Sequence, residues 1–451
     1  MEEKRNHLAQ WFASGKTKKW DYRLRQLKAL QKALKSGKHE IYAALKEDLN
    51  KSMYEASMTE MGLVFAELHE AIKNLRTWMK PRRTGISFAQ FPGKSMMYPE
   101  PYGVVLIVSP WNYPVMLTLI PLIGAIAAGN CVMLKPSANT PATSKVLKEL
   151  LETALPDTVF VVEGSREENK SLLEIPFDYI LFTGSGSVGK EVMRAAAEHL
   201  TPVTLELGGK SPVIVDKSAK IAKTARRILF GKLVNSGQTC IAPDYVWVHK
   251  KKKDQLVKAL IREAERMLKG DFQAQWVRIV NEKHRDRLRG YLEDQEILWQ
   301  KQVDEELGHL PLTFVDEPSW DSPLMQEEIF GPILPILTFS SIEEVIDKQK
   351  SLPKPLALYV FSKSKKTQRR ILEELSFGSG CINDTLLQIS SSHLPFGGVG
   401  ESGMGKVHGK SSFDTFTHYK GVLHRGWFLD HALRYMPYKK TNRELWKRLL
   451  R

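Results

Sequence analysis

Short apolar segments alternate with longer amphipathic segments through most of this chain, and this alternation constrains the fold more than any other feature. Runs such as Gly103–Ser109, Cys131–Leu134 and Tyr179–Phe182 are typical of strands that are buried on both faces. The stretches between them, near residues 140–154 and 188–200, have the apolar spacing of helices. Strands and helices that follow each other in this way predict a doubly wound parallel sheet.

The segments on either side of this sheet have different patterns. Residues 1 to about 80 carry helical periodicity. Residues 84–100 combine glycine, proline and aromatic residues, which is typical of a loop or of a β-ribbon that extends from the main body. From Thr201 onward, strands near Val203–Leu207, 213–215 and 245–248 alternate again with helices. We therefore expect a second α/β unit that begins at about this point.

The net charge is strongly basic, since Lys and Arg exceed Asp and Glu by 66 − 51 = +15. Such a balance raises the question of nucleic-acid or membrane partners. The basic residues are spread along the chain, and no recognisable nucleic-acid-binding motif accompanies them. We therefore expect solvated basic faces and no nucleic-acid partner, while a weak attraction to anionic cofactors or membrane surfaces stays open.

The chain has three cysteines, Cys131, Cys240 and Cys381, and their spacing fits neither a disulfide framework nor a metal site. This cysteine usage is typical of a reducing compartment. Residues 1–38 are charged and lack the apolar core of a signal peptide, and proline and glycine interrupt the longest apolar run, residues 115–132. We expect a cytoplasmic protein with no metal and no integral membrane segment.

A glycine-rich turn follows the predicted strand Tyr179–Phe182. Gly184, Gly186 and Gly189 match the G-x-G-x-x-G pattern, in which the backbone approaches a pyrophosphate at a helix N-terminus. The same three glycines are also compatible with a tight strand-to-helix turn and nothing more. Since no acidic residue ends a strand about 20 residues later, the ordinary dinucleotide pattern is incomplete.

Three single residues are candidates for chemistry. Cys240 follows the small polar loop Ser236–Gln238, and a helix N-terminus there would favour the reactive thiolate. Glu206 ends an apolar strand, where partial burial would raise its pKa toward that of a general base. Asn112 follows the strand Gly103–Ser109, so its amide is placed to donate to a developing oxyanion.

Each candidate also has a structural interpretation. Cys240 can be a small buried apolar residue, and Glu206 can be paired with Lys210. Asn112 lies between two prolines, where asparagine commonly stabilises a turn. Composition and spacing alone do not decide between these interpretations and catalysis.

Together, however, the motifs resemble the aldehyde dehydrogenase superfamily. The resemblance is carried by PWNYP, LKPS, FTGSGSVG, LELGGKSP, NSGQTC, QEEIFGP and LPFGGVGESGMG. The longer segments VTLELGGKSP, NSGQTCIAPDYV and HGKSSFDTFTH are most similar to its class 3 branch, which acts on fatty and aromatic aldehydes. The motifs occur in the family's order from about Leu27 to Lys420. This resemblance implies NAD(P)-dependent oxidation of medium- or long-chain aliphatic or aromatic aldehydes to carboxylic acids.

The resemblance also implies catalytic roles for the three candidates. Cys240 would be the nucleophile that forms a thiohemiacetal and then a thioester. The Asn112 side chain and the Cys240 backbone N–H would form the oxyanion hole. Glu206 would activate the water that hydrolyses the thioester.

The remaining site residues follow from the same resemblance. It implies cofactor contacts from Lys135, Ser137, Gly184, Ser185, Gly189, Leu207, Glu328 and Phe330. Glu328 would hold the nicotinamide ribose, with Phe330 packed beside the cofactor, and Lys135 would contact the adenosine ribose. Ser185 and its flanking backbone would contact the pyrophosphate. Tyr113 would line the substrate entry.

Two departures from the family pattern have consequences. Members that prefer NAD usually have a glutamate three residues after the lysine of the LKPS segment, and here that position is Ala138. Because a carboxylate there repels a 2′-phosphate, its absence predicts useful activity with NADP as well as NAD. The region Gln273–Phe314 matches the family poorly, so its element boundaries are the least certain.

The predicted fold class is α/β, with a Rossmann-like cofactor domain, a second α/β catalytic domain and a small β oligomerisation element. We assign residues 1–79 and 104–204 to the dinucleotide-binding domain and 205–405 to the catalytic domain. Residues 80–103 and 406–425 would form the oligomerisation element of a homodimer. The basic tail 426–451 is expected to be solvated or packed on a partner, and peripheral membrane contact through a surface helix stays open.

Two alternatives to this function remain at this point. Cys240 is also compatible with a cofactor-independent cysteine hydrolase that acts on esters. A non-catalytic nucleotide- or RNA-binding relative is the other alternative, although the presence of Cys240, Glu206 and Asn112 together argues against it.

Overall fold

The computed structural model describes residues 1–87, 90–428, 430 and 435–437. The helices of this part of the chain are α1 (Glu2–Ala13), α2 (Trp20–Ser36), α3 (Lys38–Leu49), α4 (Met53–Ala56), α5 (Gly62–Trp78), α6 (Met116–Ala128), α7 (Pro141–Ala154), α8 (Arg166–Leu173), α9 (Gly186–Glu198), α10 (Ile221–Leu233), α11 (Lys253–Met267), α12 (Glu282–Gly290), α13 (Pro323–Gln326), α14 (Ile342–Ser351), α15 (Lys365–Glu374) and α16 (Lys410–Thr415). The strands are β1 (Arg82–Thr84), β2 (Lys94–Pro101), β3 (Val104–Val108), β4 (Cys131–Lys135), β5 (Val159–Val161), β6 (Tyr179–Gly184), β7 (Val203–Leu207), β8 (Pro212–Val215), β9 (Tyr245–His249), β10 (Ile297–Gln300), β11 (Thr313–Asp316), β12 (Ile333–Phe339), β13 (Ala357–Phe361), β14 (Ser379–Ile382), β15 (Gly403–Met404) and β16 (Thr417–His424).

The first sheet has six strands in the order β15-β7-β6-β3-β4-β5. Its strands pair in parallel except at β15, which pairs antiparallel with β7. Helices between the strands provide the crossovers that parallel pairing requires. Helix α1 packs on strands β3 and β4 of this sheet, and α2 packs on helices α5, α6 and α7 through fully buried leucines, which include Leu27, Leu30 and Leu34. The α/β fold class predicted from the alternation of strands and helices is confirmed.

The strand β7 differs from the expectation. We expected it to open the second α/β unit, but it pairs with β6 and so belongs to the first sheet. The glycine-rich segment that follows the second sheet then returns to cover the edge of β7, with Gly403 opposite Glu206. An apolar run has the same pattern in either sheet, so only the long-range pairing shows where β7 belongs. The division of the chain into domains therefore remains a prediction.

The second sheet has seven strands in the order β10-β11-β12-β9-β8-β13-β14. All pairs are parallel except β10 with β11. Helices α10 and α11 pack against each other beside this sheet, and their apolar faces join its core through Ile228, Leu229 and Leu256. The loop between α10 and β9 contains Cys240.

The third sheet is a three-stranded antiparallel ribbon with the order β1-β2-β16. It joins two segments that are more than 300 residues apart, with Thr417 opposite Pro101 and His424 opposite Lys94. Most side chains of β16 are exposed. The neighbouring helix α16 instead packs on the first sheet's helices, since the rings of Trp78 and Phe413 lie 5.6 Å apart. The part that this ribbon plays in oligomerisation remains a prediction.

Two properties of the described ranges bear on partners. None of the helices in those ranges combines the length and the apolar character needed to cross a membrane. The same ranges hold no cluster of three or more His, Cys, Asp or Glu residues that could bind a metal ion. Most of the basic tail 426–451 lies outside the described residues.

Candidate active site

A cleft of about 580 Å³ lies at the carboxyl ends of strands β3, β6 and β7. Ligand sites of open α/β sheets are found at this edge. Of the residues predicted for the site, the cleft is lined by Asn112, Gly184, Ser185, Glu206, Leu207, Cys240, Glu328 and Phe330. The structure therefore brings together segments from both parallel sheets around one space.

Cys240 lies in a turn and not at a helix N-terminus. Helix α10 ends at Leu233, and the turn at Cys240 is closed by a hydrogen bond from Ala242 N–H to the Thr239 carbonyl (2.9 Å) before strand β9 begins. The prediction that a helix start would favour the thiolate is wrong. Burial, together with the charges of Glu328 and Glu206, raises the pKa of the Cys240 thiol.

The segment before Cys240 has an unusual backbone. Asn235 and Ser236 are both left-handed, with φ angles of 53° and 52°. Non-glycine residues adopt this region at a cost, so surrounding contacts must hold them there. The Asn235 N–H donates to Glu55 Oε1 (2.7 Å), and Ser236 Oγ donates to the Val277 carbonyl. These contacts fix the path of the chain as it enters the Cys240 turn.

Asn112 connects its own loop to the Cys240 loop. Its Nδ2 donates to the carbonyl of Gln238 (3.0 Å), and its main-chain carbonyl accepts from Asn235 Nδ2 (3.0 Å). An amide nitrogen has two hydrogens, so one remains for a ligand in the cleft. Asn112 does more than stabilise a local turn, because its partners lie more than 120 residues away.

Glu206 is 5% exposed at the end of β7. In the described part of the chain, no protein group donates a hydrogen bond to either of its carboxylate oxygens. Burial therefore raises the pKa of Glu206 well above the usual value. The alternative pairing with Lys210 is wrong, because the Lys210 ammonium contacts Asp244 instead, at 2.5 Å. A buried carboxyl group without a partner is typical of a functional site.

The glycine turn connects β6 to helix α9. Ser185 is the N-cap of this helix, and its hydroxyl lies 3.1 Å from that of Ser187 at the surface. A Cβ atom on Gly189 would approach Leu207 Cδ2 to 2.7 Å, so glycine allows α9 to pack closely on β7. A Cβ atom on Gly186 would meet nothing within 4 Å, so packing does not require a glycine there. The free N–H groups at this helix start suit a phosphate.

Lys135 and Ser137 lie at the carboxyl end of strand β4, which is separated from β6 by β3. The Lys135 side chain is buried and donates to the carbonyls of Pro136 (2.9 Å) and Gly164 (2.8 Å). Ser137 is partly exposed, and Ala138 is exposed. Lys135 and Ser137 thus place two polar groups at the end of β4, and Ala138 adds no carboxylate there. None of the three lines the 580 Å³ cleft.

The segment that contains Glu328 and Phe330 is held by charged side chains. Arg287 donates to the carbonyls of Glu328 (3.2 Å) and Ile329 (2.9 Å), and Asp244 accepts from the Ile329 N–H (2.9 Å). Burial raises the pKa of Glu328 to about 8. The residue Phe330 has a positive φ angle of 51°.

Two residues that line the cleft, His284 and Arg287, were missed by the sequence analysis. Both belong to helix α12, within the region that matches the family poorly. The Arg287 guanidinium also donates to the hydroxyl of Tyr291, the residue that follows the last residue of the same helix. The only sequence feature that pointed to Arg287 was a tyrosine four residues later, and such spacing is common on solvated helices.

A second, apolar cavity of about 130 Å³ reaches Cys240 from another side. Tyr113 lines it, and the Tyr113 hydroxyl lies 2.6 Å from Thr239 Oγ1. Its other walls include Leu63, Phe230 and Ile389. Because the only hydroxyl of the tyrosine is already paired, the ring presents an apolar surface to this cavity.

Comparison with known proteins agrees with this geometry. Residues 7–422 match the sequence model of the Aldehyde dehydrogenase family. The chain belongs to the aldehyde dehydrogenase family. Its reaction is therefore the NAD(P)-dependent oxidation of an aldehyde to a carboxylic acid, and the alternatives of a cofactor-independent hydrolase and a non-catalytic binding protein are not supported.

This aldehyde dehydrogenase has similar relatives in several organisms. It is 46% identical over 444 residues to the 4,4'-diaponeurosporen-aldehyde dehydrogenase of Staphylococcus aureus, and this match covers 97% of each chain. It is 44% identical over 447 residues to aldehyde dehydrogenase family 3 member B1 of Mus musculus, with 98% of this chain and 96% of that protein covered. The substrate-bound structure of Staphylococcus aureus AldH superimposes with a TM-score of 0.97 at 45% identity, covering 100% of this chain and 99% of that one. The predicted class 3 affiliation is confirmed.

Proposed function

We propose that Cys240, Asn112 and Glu206 carry out this oxidation on medium- or long-chain aliphatic or aromatic aldehydes. The observation that carries the proposal is that all three side chains line one cleft, although they come from three separate segments of the chain. The residues around the cleft supply a nucleophile, an oxyanion donor and a base, the three functions that acyl chemistry needs.

The site also fits a nicotinamide dinucleotide. The start of helix α9 offers backbone N–H groups and the Ser185 hydroxyl to a pyrophosphate, while Gly189 and Leu207 form the wall behind it. Glu328 and Phe330 line the cleft on its other side. We assign Lys135 and Ser137 to the adenosine ribose. When bound, the dinucleotide supplies the hydride acceptor that turns a thiohemiacetal into a thioester.

The reaction at Cys240 begins with deprotonation of its thiol. Because its pKa is raised, the thiol needs a base, and we assign this role to the Glu206 carboxylate, which lines the same cleft and has a raised pKa of its own. The Cys240 sulfur then bonds to the aldehyde carbon and the carbonyl π electrons move to oxygen. Asn112 Nδ2 and the Cys240 N–H donate to this oxygen and stabilise its charge.

The second half of the reaction releases the acid. Glu206 first releases the thiol proton to solvent. It then removes a proton from water, the resulting hydroxide attacks the thioester carbon, and the C–S bond breaks to return the Cys240 thiolate. Removing an oxyanion donor or a general base from such a site typically costs about 10²–10⁴ in rate.

The apolar cavity beside Cys240 supports the proposed substrate class. Its walls are almost entirely hydrocarbon, and it meets the main cleft at the cysteine. A substrate with an apolar chain would bury that chain here and place its aldehyde group at the sulfur.

Three finer assignments complete the proposal. Ala138 leaves room and no negative charge for a 2′-phosphate, so we assign activity with both NAD and NADP. The ribbon of β1, β2 and β16 offers exposed edges for a homodimer. The three free cysteines agree with a cytoplasmic location.

The decisive experiment follows dinucleotide reduction by absorbance with a panel of aliphatic and aromatic aldehydes. Wild type should turn over with NAD and NADP, and Cys240→Ala should be inactive. Cys381→Ser is the matched control, because the hydroxyl keeps the hydrogen bond of this thiol to Gln388. Loss of activity in the control as well as in Cys240→Ala would contradict the assignment of Cys240 as the nucleophile.

A further inference from the structure

A fully buried ion pair lies beneath the candidate site and takes no part in the chemistry described above. The Lys51 ammonium contacts the Glu60 carboxylate at 2.6 Å, and both side chains are 0% exposed. Burying two charges costs several kcal/mol of desolvation per ion, which their mutual attraction offsets only with additional hydrogen bonds. The stability of the buried pair therefore depends on the other groups that it contacts.

Both members of the pair contact the main chain of the loop that carries Asn112. Lys51 Nζ donates to the Asn112 carbonyl at 3.1 Å. The second oxygen of Glu60 accepts from the N–H groups of Val115 (2.8 Å) and Met116 (3.1 Å). The ion pair thus holds this loop at two points, one at Asn112 and one at the start of helix α6.

The same ammonium also lies 4.4 Å from the centre of the Tyr113 ring. The side chain of Lys51 is therefore surrounded by the residues on which the cleft depends, and solvent does not reach it. The Asn112 carbonyl receives a second donor, Asn235 Nδ2, from the Cys240 loop. Two donors on one carbonyl fix the orientation of the peptide, and with it the direction in which the Asn112 side chain leaves the backbone.

We propose that Lys51 is a positioning residue for Asn112, and that Glu60 holds Lys51 in place. The inference rests on the proposed role of Asn112 as an oxyanion donor. A displacement of about 1 Å in a positioned group can cost on the order of 10²-fold in rate. Without Lys51, Asn112 keeps its bonds to the Cys240 loop, but its carbonyl loses one of its two donors.

A double-mutant cycle tests this inference in the full-length enzyme. We expect Lys51→Met to lower kcat for aldehyde oxidation by about 10- to 100-fold, with the dinucleotide KM changed less than about twofold. In an Asn112→Ala background the same substitution should cost less than about threefold, because the group that Lys51 positions is gone. Equal losses in both backgrounds would overturn the inference and leave the role of Asn112 intact.

Two further measurements separate positioning from general damage to the fold. The rate at which iodoacetamide alkylates Cys240 does not need an oxyanion donor, so Lys51→Met should leave it within about twofold of wild type. A large change in this rate would show that Lys51 acts on the cysteine loop and would overturn the inference. The matched control is Lys46→Met, which replaces an exposed lysine of helix α3. It should keep wild-type kcat.

Lys51→Met leaves the Glu60 carboxylate buried without its partner, and an unpaired buried charge can unfold a protein. Glu60→Gln therefore provides a second test. Glutamine keeps an acceptor for the Val115 and Met116 N–H groups but removes the charge opposite Lys51. Its loss of kcat should also disappear in the Asn112→Ala background. If Asn112→Ala alone kept wild-type kcat, the proposed role of Asn112 and this inference would both be overturned.

Discussion

Glu206 ends a strand of the six-stranded sheet and Cys240 precedes a strand of the seven-stranded sheet, yet both side chains line the same cleft. The two groups are electrostatically coupled. Burial raises the pKa of the Cys240 thiol first, and the charges of Glu328 and Glu206 raise it further. A carboxyl group of raised pKa and a thiol of raised pKa thus line one cleft, which supports the proposed proton transfer between them.

We expect Glu206→Gln to lower the activity and to raise the thermal stability of the protein. The substitution removes the base, so kcat for aldehyde oxidation should fall by about 10²–10⁴-fold. The raised pKa means that folding disfavours the Glu206 charge, so the neutral variant should gain roughly 1–3 °C in Tm at pH 8, and less at pH 5. Glu198→Gln, an exposed glutamate at the end of α9, should change neither value. A variant that loses activity and Tm together would contradict the prediction.

A second buried carboxyl group predicts a pH dependence of stability. Burial raises the pKa of Glu67 to about 7, although the carboxylate accepts the Gly409 N–H at 2.8 Å. Because the folded state holds this proton more tightly than the unfolded state, its stabilising contribution is present at low pH and is lost as pH rises to about 7.

The variant Glu67→Gln removes this titration and keeps an acceptor for Gly409. Its Tm relative to wild type should therefore increase between about pH 4.5 and 7, and then level off. Thermal melts in the same buffers at half-unit pH steps would measure the difference. A difference that is constant over this range would contradict the raised pKa.

Cofactor choice should depend on position 138. We expect Ala138→Glu to raise the KM for NADP about tenfold, which corresponds to ~1.4 kcal/mol, because the new carboxylate repels the 2′-phosphate. Ala138→Gln is the neutral control of the same size and should keep both activities. Initial rates with NAD and with NADP would measure the effect. Strict NAD dependence of the wild type would contradict the argument from Ala138.

Chain-length preference should depend on the apolar cavity. Ile389 lies in its wall, where it is half-buried in the short helical turn Leu387–Ser390. We expect Ile389→Trp to raise the KM for decanal about tenfold or more, since burial of two methylene groups is worth ~1.6 kcal/mol. The KM for propanal should change less than about twofold. Ile389→Leu, which conserves the side-chain volume, is the control. An equal rise of both KM values in Ile389→Trp would show that the cavity does not hold the alkyl chain of the substrate.

Much of the fold was predictable because it depends on local pattern. The strands β3, β4 and β6 are short apolar runs, and strands buried on both faces need such runs whatever their neighbours are. The place of β7 was not predictable in this way. The sheet that a strand joins depends on pairing with a distant partner, and the two-residue strand Gly403–Met404 that covers its edge has no strand pattern of its own.

The candidate site shows the same division. The sequence by itself determined which residue types were available for chemistry, since Cys240, Glu206 and Asn112 stand in motifs that packing does not explain. Only the tertiary structure decided that Cys240 lies in a turn, that Lys210 pairs with Asp244, and that His284 and Arg287 join the cleft. The physical reason is that burial and hydrogen-bond partners come from distant segments, 180 residues apart for Glu55 and Asn235, and no local pattern records such contacts.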